Sequence, residues 1–287
     1  MMAVCFSSMD KPAKSQNSTH PPSRFRKLTR GAGVGFALLA GLTLLVATLF
    51  DPSPASAEGK HVTYQVNGQE YAGYYTSPSA SAPLVLLIHD WDGLTEYEVK
   101  RAEMLAEQGY AVFAADLFGA GIRPTEDKDK RQHTGELYKD RPKMRALLDG
   151  AMKEAAAQGA NIDNAVAMGY CFGGAAVLEF ARAGADVKGI VTFHGGLATP
   201  EGQDYAAARG RVLVLHGTAD ANITMNDFGA LAVALEKQGV PHEMITYGGA
   251  PHGFTVFGAK SYREAADQQS WQRFLAFLDE TLRGKQQ

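Results

Sequence analysis

The segment Gly169-Tyr170-Cys171-Phe172-Gly173-Gly174 constrains the chain more than any other. It follows the apolar run Ala165-Val166-Ala167-Met168 and leads into the helix-compatible Ala175-Ala176-Val177-Leu178-Glu179-Phe180. Together these read as strand, sharp turn and helix, with cysteine at the apex where the nucleophile-elbow pattern usually carries serine. Such a turn forces its central residue into a strained backbone, and the residues two before and two after it must lack side chains so that strand and helix can approach. The N-terminus of the following helix directs free N–H groups and its positive dipole end at the cysteine, favouring a thiolate and any developing oxyanion. By itself the pattern leaves open that Cys171 is a small buried hydrophobe, as free cysteines often are.

Two further segments tilt the reading toward chemistry. The strand-like Val212-Leu213-Val214-Leu215-His216 is followed by Gly217-Thr218-Ala219-Asp220, and Glu243-Met244-Ile245-Thr246-Tyr247 by Gly248-Gly249-Ala250-Pro251-His252. A nucleophile, an acid and a histidine therefore each sit just past the end of a successive strand. Their order, Cys171, Asp220, His252, is the nucleophile–acid–histidine order of the α/β-hydrolases.

The remaining pattern fits a mostly parallel central sheet with helices on both faces, an α/β-hydrolase fold. Val62–Val66 and Tyr71–Thr76, joined through Asn67-Gly68, predict an edge hairpin. Leu84–Ile88 is continuously apolar, as a strand buried on both faces requires, and Ala111–Ala115 and Gly189–Phe193 read as further strands. Helices are expected near 96–108, 143–158, 226–238 and 262–282, the last with Trp271, Phe274, Leu275 and Leu278 facing the core. The charged segment 123–140 is partly helical and placed to cap a site. In such a sheet the site belongs at the carboxyl ends of the strands.

Residues 1–57 stand apart from this core. Arg24, Arg26, Lys27 and Arg30 precede an uncharged stretch from Gly31 to Phe50, and Ala55-Ser56-Ala57 offers a small-residue cleavage site. This describes a secretory signal peptide cut after Ala57, with residues 58–287 as the exported domain, periplasmic or secreted. The apolar stretch is also long enough for an uncleaved signal anchor, which would leave the catalytic domain membrane-anchored outside the cytoplasm. The whole chain carries a net charge of −3. Without the six basic and two acidic residues of the leader the remainder stands at −7, which argues against nucleic acid or an anionic membrane surface as partner. Cys5 lies in the leader, so Cys171 is the lone thiol of the domain and has no intrachain disulfide partner there.

With these residues in view, the chain resembles the dienelactone hydrolase family across nearly all of residues 60–285. The resemblance rests on Gly-Tyr-Cys-Phe-Gly-Gly, Leu215-His216-Gly217-Thr218-Ala219-Asp220, Pro251-His252-Gly253-Phe254 and Ala114-Ala115-Asp116-Leu117-Phe118. It implies that Cys171 attacks an ester or lactone carbonyl to form an acyl-enzyme, that His252 serves as base and then acid, and that Asp220 orients His252. The implied oxyanion donors are the backbone N–H groups of Phe172 and Trp91. Activity is then expected to need neutral His252, with a limb at about pH 6–7.

Two positions depart from the family pattern. Asp90 stands where the family has a glutamate that tunes the thiol; one methylene shorter, it either tunes Cys171 or is a solvated loop carboxylate. Val256, four residues after His252, replaces one of the arginines that hold a substrate carboxylate, leaving Arg131 and Tyr138 as candidate substrate contacts and favouring a neutral ester or lactone. His89 and His216 read as locally hydrogen-bonded, and His194-Gly195-Gly196 as a turn. No metal or cofactor is expected, since a zinc site from His89, His216 and Asp90 is not suggested by their spacing. A thioesterase or general carboxylesterase would use the same residues. A non-catalytic binding or thiol redox-sensing protein with this fold is the alternative of another class. Oligomeric state is left open by the sequence.

Overall fold

The computed structural model describes residues 59–284. The leader read at residues 1–57, and with it cleavage and export, lies outside the described residues. Within them eight strands form one sheet in the order β1-β2-β4-β3-β5-β6-β7-β8. The strands are β1 (Lys60–Val66), β2 (Gln69–Thr76), β3 (Pro83–Ile88), β4 (Ala111–Ala115), β5 (Asn161–Tyr170), β6 (Gly189–Phe193), β7 (Arg211–Gly217) and β8 (His242–Tyr247). β1 and β2 form the expected edge hairpin, Asn67 and Gly68 taking φ of 50° and 78° as a tight two-residue turn needs. β2 runs antiparallel to β4, and every pairing from β4 through β8 is parallel.

The helices are α1 (Glu96–Glu107), α2 (Asp127–Lys139), α3 (Arg141–Ala157), α4 (Phe172–Arg182), α5 (Met225–Lys237) and α6 (Glu264–Leu282). Because the central strands are apolar on both faces, two cores form. One packs α3, α4 and α5, through residues such as Met144, Ala176 and Leu231, against Leu84, Leu86 and Val212. The other packs α1 and α6, through Leu105, Phe274 and Leu278, against Val85, Met168 and Leu213. On α6 the fully buried Phe277 joins the expected Phe274 and Leu278, while Trp271 and Leu275 pack at the core's margin. The charged segment that sequence pattern left half-assigned contains α2. Its mostly polar residues bury only Thr134 and Leu137, so hydrophobic periodicity carried little signal there. No helix among the described residues is long and apolar enough to cross a membrane.

Candidate active site

Cys171 is the hinge between β5 and α4. Its φ of 50° and ψ of −108° put a non-glycine residue at positive φ, the strain that the turn predicts. A Cβ on Gly169 would lie 2.2 Å from the Gly173 carbonyl carbon, and one on Gly173 would lie 2.3 Å from the Ile88 carbonyl oxygen, so both flanking positions exclude side chains. The Cys171 backbone is pinned to the next strand by Cys171 N–H donating to Phe193 O at 3.1 Å, and by Gly196 N–H donating to Cys171 O at 3.2 Å. The thiol is partly exposed.

His252 reaches Cys171 from the loop beyond β8, with Nε2 3.0 Å from Sγ. Its Nδ1 donates to Asp220 Oδ2 at 2.7 Å from the loop beyond β7. The other oxygen of Asp220 accepts from the backbone N–H groups of Asn222 and Ile223, both at 2.9 Å. The carboxylate is thus oriented from two sides, as a group that must fix an imidazole requires. Burial works to raise the Asp220 pKa, but the His252 bond and the two amides outweigh it and hold the carboxyl below its ordinary range. Burial likewise works to lower His252, yet the hydrogen bonds to Asp220 and Cys171 and their negative charge push it up to about 10. This corrects the expectation of a neutral His252 with a limb at pH 6–7. Held between Asp220 and Cys171, the ring favours its protonated form.

These groups open onto a cavity of about 520 Å³ shared with Asp90, Trp91, Arg131, Tyr138, Phe172 and Val256. Every candidate except Asp220, which stands behind His252, lines that space. Phe172 is the first residue of α4, where helical N–H groups have no intrahelical acceptor. Trp91 lies in the loop after β3, and His89 holds that loop. Leu117 N–H donates to His89 Nε2 at 3.1 Å, which leaves the His89 proton on Nδ1 to bond Asp90 O at 2.6 Å. His89 therefore bonds locally, as expected. His216 instead stacks on Phe228 at 5.6 Å, and its ring nitrogens have no partner among the described hydrogen bonds.

Asp90 is not a solvated carboxylate: it is 8% exposed. Burial above all, with Asp92 and Glu98 nearby, pushes its pKa up to about 9 and keeps it protonated at neutral pH. Its carboxyl accepts from Asp92 N–H at 3.1 Å. Arg131 pairs with Asp127 at 3.2 Å on the exposed side of α2. Lys130 lies 5.0 Å from the Trp91 ring and 3.9 Å from Asp92, tying α2 to the β3 loop. Tyr138 stacks edge-on against Phe172 at 5.6 Å and carries Arg141 over its ring at 4.9 Å. Its position at the cavity makes the charged segment a cap, as the sequence suggested. His194, read from sequence as part of a turn, also lines the cavity. The signal that could have marked it is its place immediately past a central strand end, the same place that marks the other site residues. No group of three or more His, Cys, Asp or Glu able to hold a metal occurs among the described residues.

The model of the dienelactone hydrolase family matches residues 71–282. The chain belongs to that family. Membership makes it a hydrolase acting on ester or lactone bonds. A Salmonella typhimurium protein carrying the provisional name carboxymethylenebutenolidase is 25% identical over 224 residues, which cover 74% of this chain and 83% of the relative. Among solved structures, one titled m3DLH is 31% identical with a TM-score of 0.75, covering 79% of this chain and 99% of that one. A dienelactone hydrolase-like promiscuous phosphotriesterase, P91, from metagenomic libraries is 28% identical with a TM-score of 0.73 and the same coverage.

Proposed function

We propose that this dienelactone hydrolase-family enzyme cleaves uncharged esters or lactones through a thioester on Cys171. The observation that carries this reading is the hydrogen-bonded chain Cys171–His252–Asp220 at the base of the cavity, with separations of 3.0 and 2.7 Å. In the first half-reaction Sγ bonds to the carbonyl carbon, and the carbonyl π electrons move to oxygen. That oxyanion is received by the N–H groups of Phe172 and Trp91. Its collapse breaks the C–O bond, and the departing alkoxide takes the Nε2 proton of His252. In a lactone the alkoxide remains part of the same acyl group. In the second half, water gives a proton to Nε2 as it attacks the thioester, and the thiolate leaves.

Neutral substrates are favoured because Val256 lines the cavity where the family pattern has an arginine, and Arg131 is paired with Asp127. Uncharged phosphate triesters form a second reading, favoured by the likeness to P91. There Sγ would bond to phosphorus as the P–O bond to the most acidic alcohol breaks, that alkoxide taking the Nε2 proton of His252. Water, giving a proton back to Nε2, would then cleave the S–P bond and free the thiolate. Export of the domain by residues 1–57 belongs to the same proposal.

The test is turnover by residues 58–287 on short-chain p-nitrophenyl esters, small lactones and diethyl p-nitrophenyl phosphate, beside Cys171→Ala. Ester or lactone hydrolysis that vanishes in the variant, with an acyl adduct on Cys171 in quenched intact mass, supports the thioester route. Equal activity in Cys171→Ala overturns it. Turnover confined to the triester selects the second reading. Cell fractionation and the N-terminal sequence of the mature protein test export.

A further inference from the structure

His194 is fully buried at the end of β6, with φ of 40°. Its ring is wedged between the His252 and Phe254 rings, each 5.4 Å away and at steep angles of 64° and 76°. Its Nε2 lies 2.8 Å from Thr255 Oγ1, three residues beyond His252 in the same loop. Thr255 Oγ1 is 2.7 Å from the Tyr97 hydroxyl, and Arg101 Nε donates to that hydroxyl at 3.4 Å. Arg101 also donates to Thr255 O at 2.9 Å and pairs with Asp267 at 2.5 Å; it is 1% exposed.

A guanidinium only donates, so Tyr97 accepts from Arg101. Between Tyr97 and Thr255 either hydroxyl can be the donor. Thr255 Oγ1 in turn shares a proton with Nε2 of the His194 ring, whose tautomer decides the donor and leaves Nδ1 as the other ring nitrogen. That Nδ1 is buried with no protein partner among the described residues. Among the described hydrogen bonds, the one shared with Thr255 is therefore the only side-chain bond that orients the ring. Burial, with the charge of His252 beside it, holds the His194 pKa well below its ordinary value, in agreement with a neutral ring. Besides His252, the charged groups acting on it are Asp220 and Arg101.

We propose that His194 is a positioning residue: braced from Arg101 through Tyr97 and Thr255, it backs the His252 ring and keeps that ring aligned between Asp220 and Cys171. The proposal rests on the hydrolase reading of Cys171 and His252 but has a readout that needs no substrate. His194→Phe keeps an aromatic ring and removes the nitrogen that bonds Thr255. Thr255→Val keeps the shape and removes the hydroxyl at a position free of backbone strain. His194→Gln restores a hydrogen-bonding group, an amide, opposite Thr255.

The substrate-free readout is the NMR titration of His252 in each variant. With the brace removed, the His252 pKa falls at least one unit below its wild-type value, because the bonds to Asp220 and Cys171 loosen, and His194→Gln recovers part of the fall. In ester assays kcat falls about tenfold or more with KM within about twofold, and the double variant His194→Phe/Thr255→Val is no worse than either single one. If His194→Phe does not fold, Thr255→Val decides. Folded Thr255→Val with an unchanged His252 titration and unchanged kcat overturns the proposal. Failure of wild-type protein to hydrolyse any ester would sink the hydrolase reading, while the titration would still decide the positioning role.

Discussion

A side chain on Gly173 would place its first carbon 2.3 Å from the carbonyl oxygen of Ile88. The elbow helix thus rests directly on the backbone of β3, the strand that leads to the Asp90–Trp91 loop. Backbone atoms cannot rotate away as a side chain can. Gly173→Ala is therefore expected to destabilise the fold by about 3 kcal/mol, the upper end of overpacking costs, measured as a shift in urea midpoint. A variant with wild-type stability would mean that the helix can slide on β3 without cost.

The His252 titration sets a pH dependence with a definite sign. Its folded value of about 10 lies above the ordinary histidine value of about 6.5. The stability this confers is complete below about pH 6.5 and disappears as pH rises through about 10. In the proposed mechanism the imidazolium protonates the leaving group and is lost over the same range, so kcat should decline on an alkaline limb near pH 10. Asp220→Asn removes the largest of the interactions that raise it. The limb should then move toward neutrality and kcat fall by about 10³–10⁴-fold. An alkaline limb that does not move in Asp220→Asn would refute the assignment of Asp220.

Glu179 on the elbow helix is buried beneath three arginines, Arg145 at 2.5 Å, Arg182 at 2.8 Å and Arg141 at 3.5 Å. Arg141 and Arg145 belong to α3, so this carboxylate docks α3 on α4, the helix that begins after Cys171. Burial opposes its ionisation, but the bonds to Arg182 and Arg145 prevail and lower its pKa. Its contribution is present above the ordinary glutamate range, about pH 4.3, and is lost as pH falls through the lower folded value. Glu179→Gln leaves the arginines uncompensated and should cost about 3–5 kcal/mol at pH 7. The gap between variant and wild type should close in acid, as followed by denaturant unfolding at a series of pH values.

Val256 lines the cavity without charge. Val256→Arg should raise kcat/KM for carboxylate-bearing esters or lactones about tenfold and lower it for their neutral counterparts, a reversal read from paired substrates. If the two classes respond alike, Val256 does not face the acyl group.

Much of this was legible in the sequence because its signals are local. Glycines at 169 and 173, an apolar run before each of Cys171, Asp220 and His252, and the Asn67-Gly68 turn each announce themselves within a few residues. What stayed hidden depends on long-range proximity. His194 meets Thr255 across 61 residues and Arg101 meets it across 154, and nothing near any of the three marks the connection. The charge state of His252 was not legible although its partners were, because it is set by how closely Asp220 and Cys171 approach the ring, at 2.7 and 3.0 Å. For Asp90 the sequence left open a thiol-tuning carboxylate or a solvated one, because the burial that excludes the second is set by packing, with Glu98 of α1 beside its backbone, that no local pattern announces.

The parallel pairing of β5, β6, β7 and β8 has one more consequence. The backbone bonds Cys171–Phe193, His194–Leu215 and Thr218–Tyr247 carry the register of one strand across to the next at the very edge where the site begins. Alignment of the reacting groups is therefore quantised: a strand can shift only by whole residues, and one step turns its side chains to the opposite face. The cap segment, which belongs to no strand, carries no such constraint. Insertions there can reshape which molecules enter while the sheet keeps the reacting atoms in place, so substrate choice and chemical competence can drift independently in this chain.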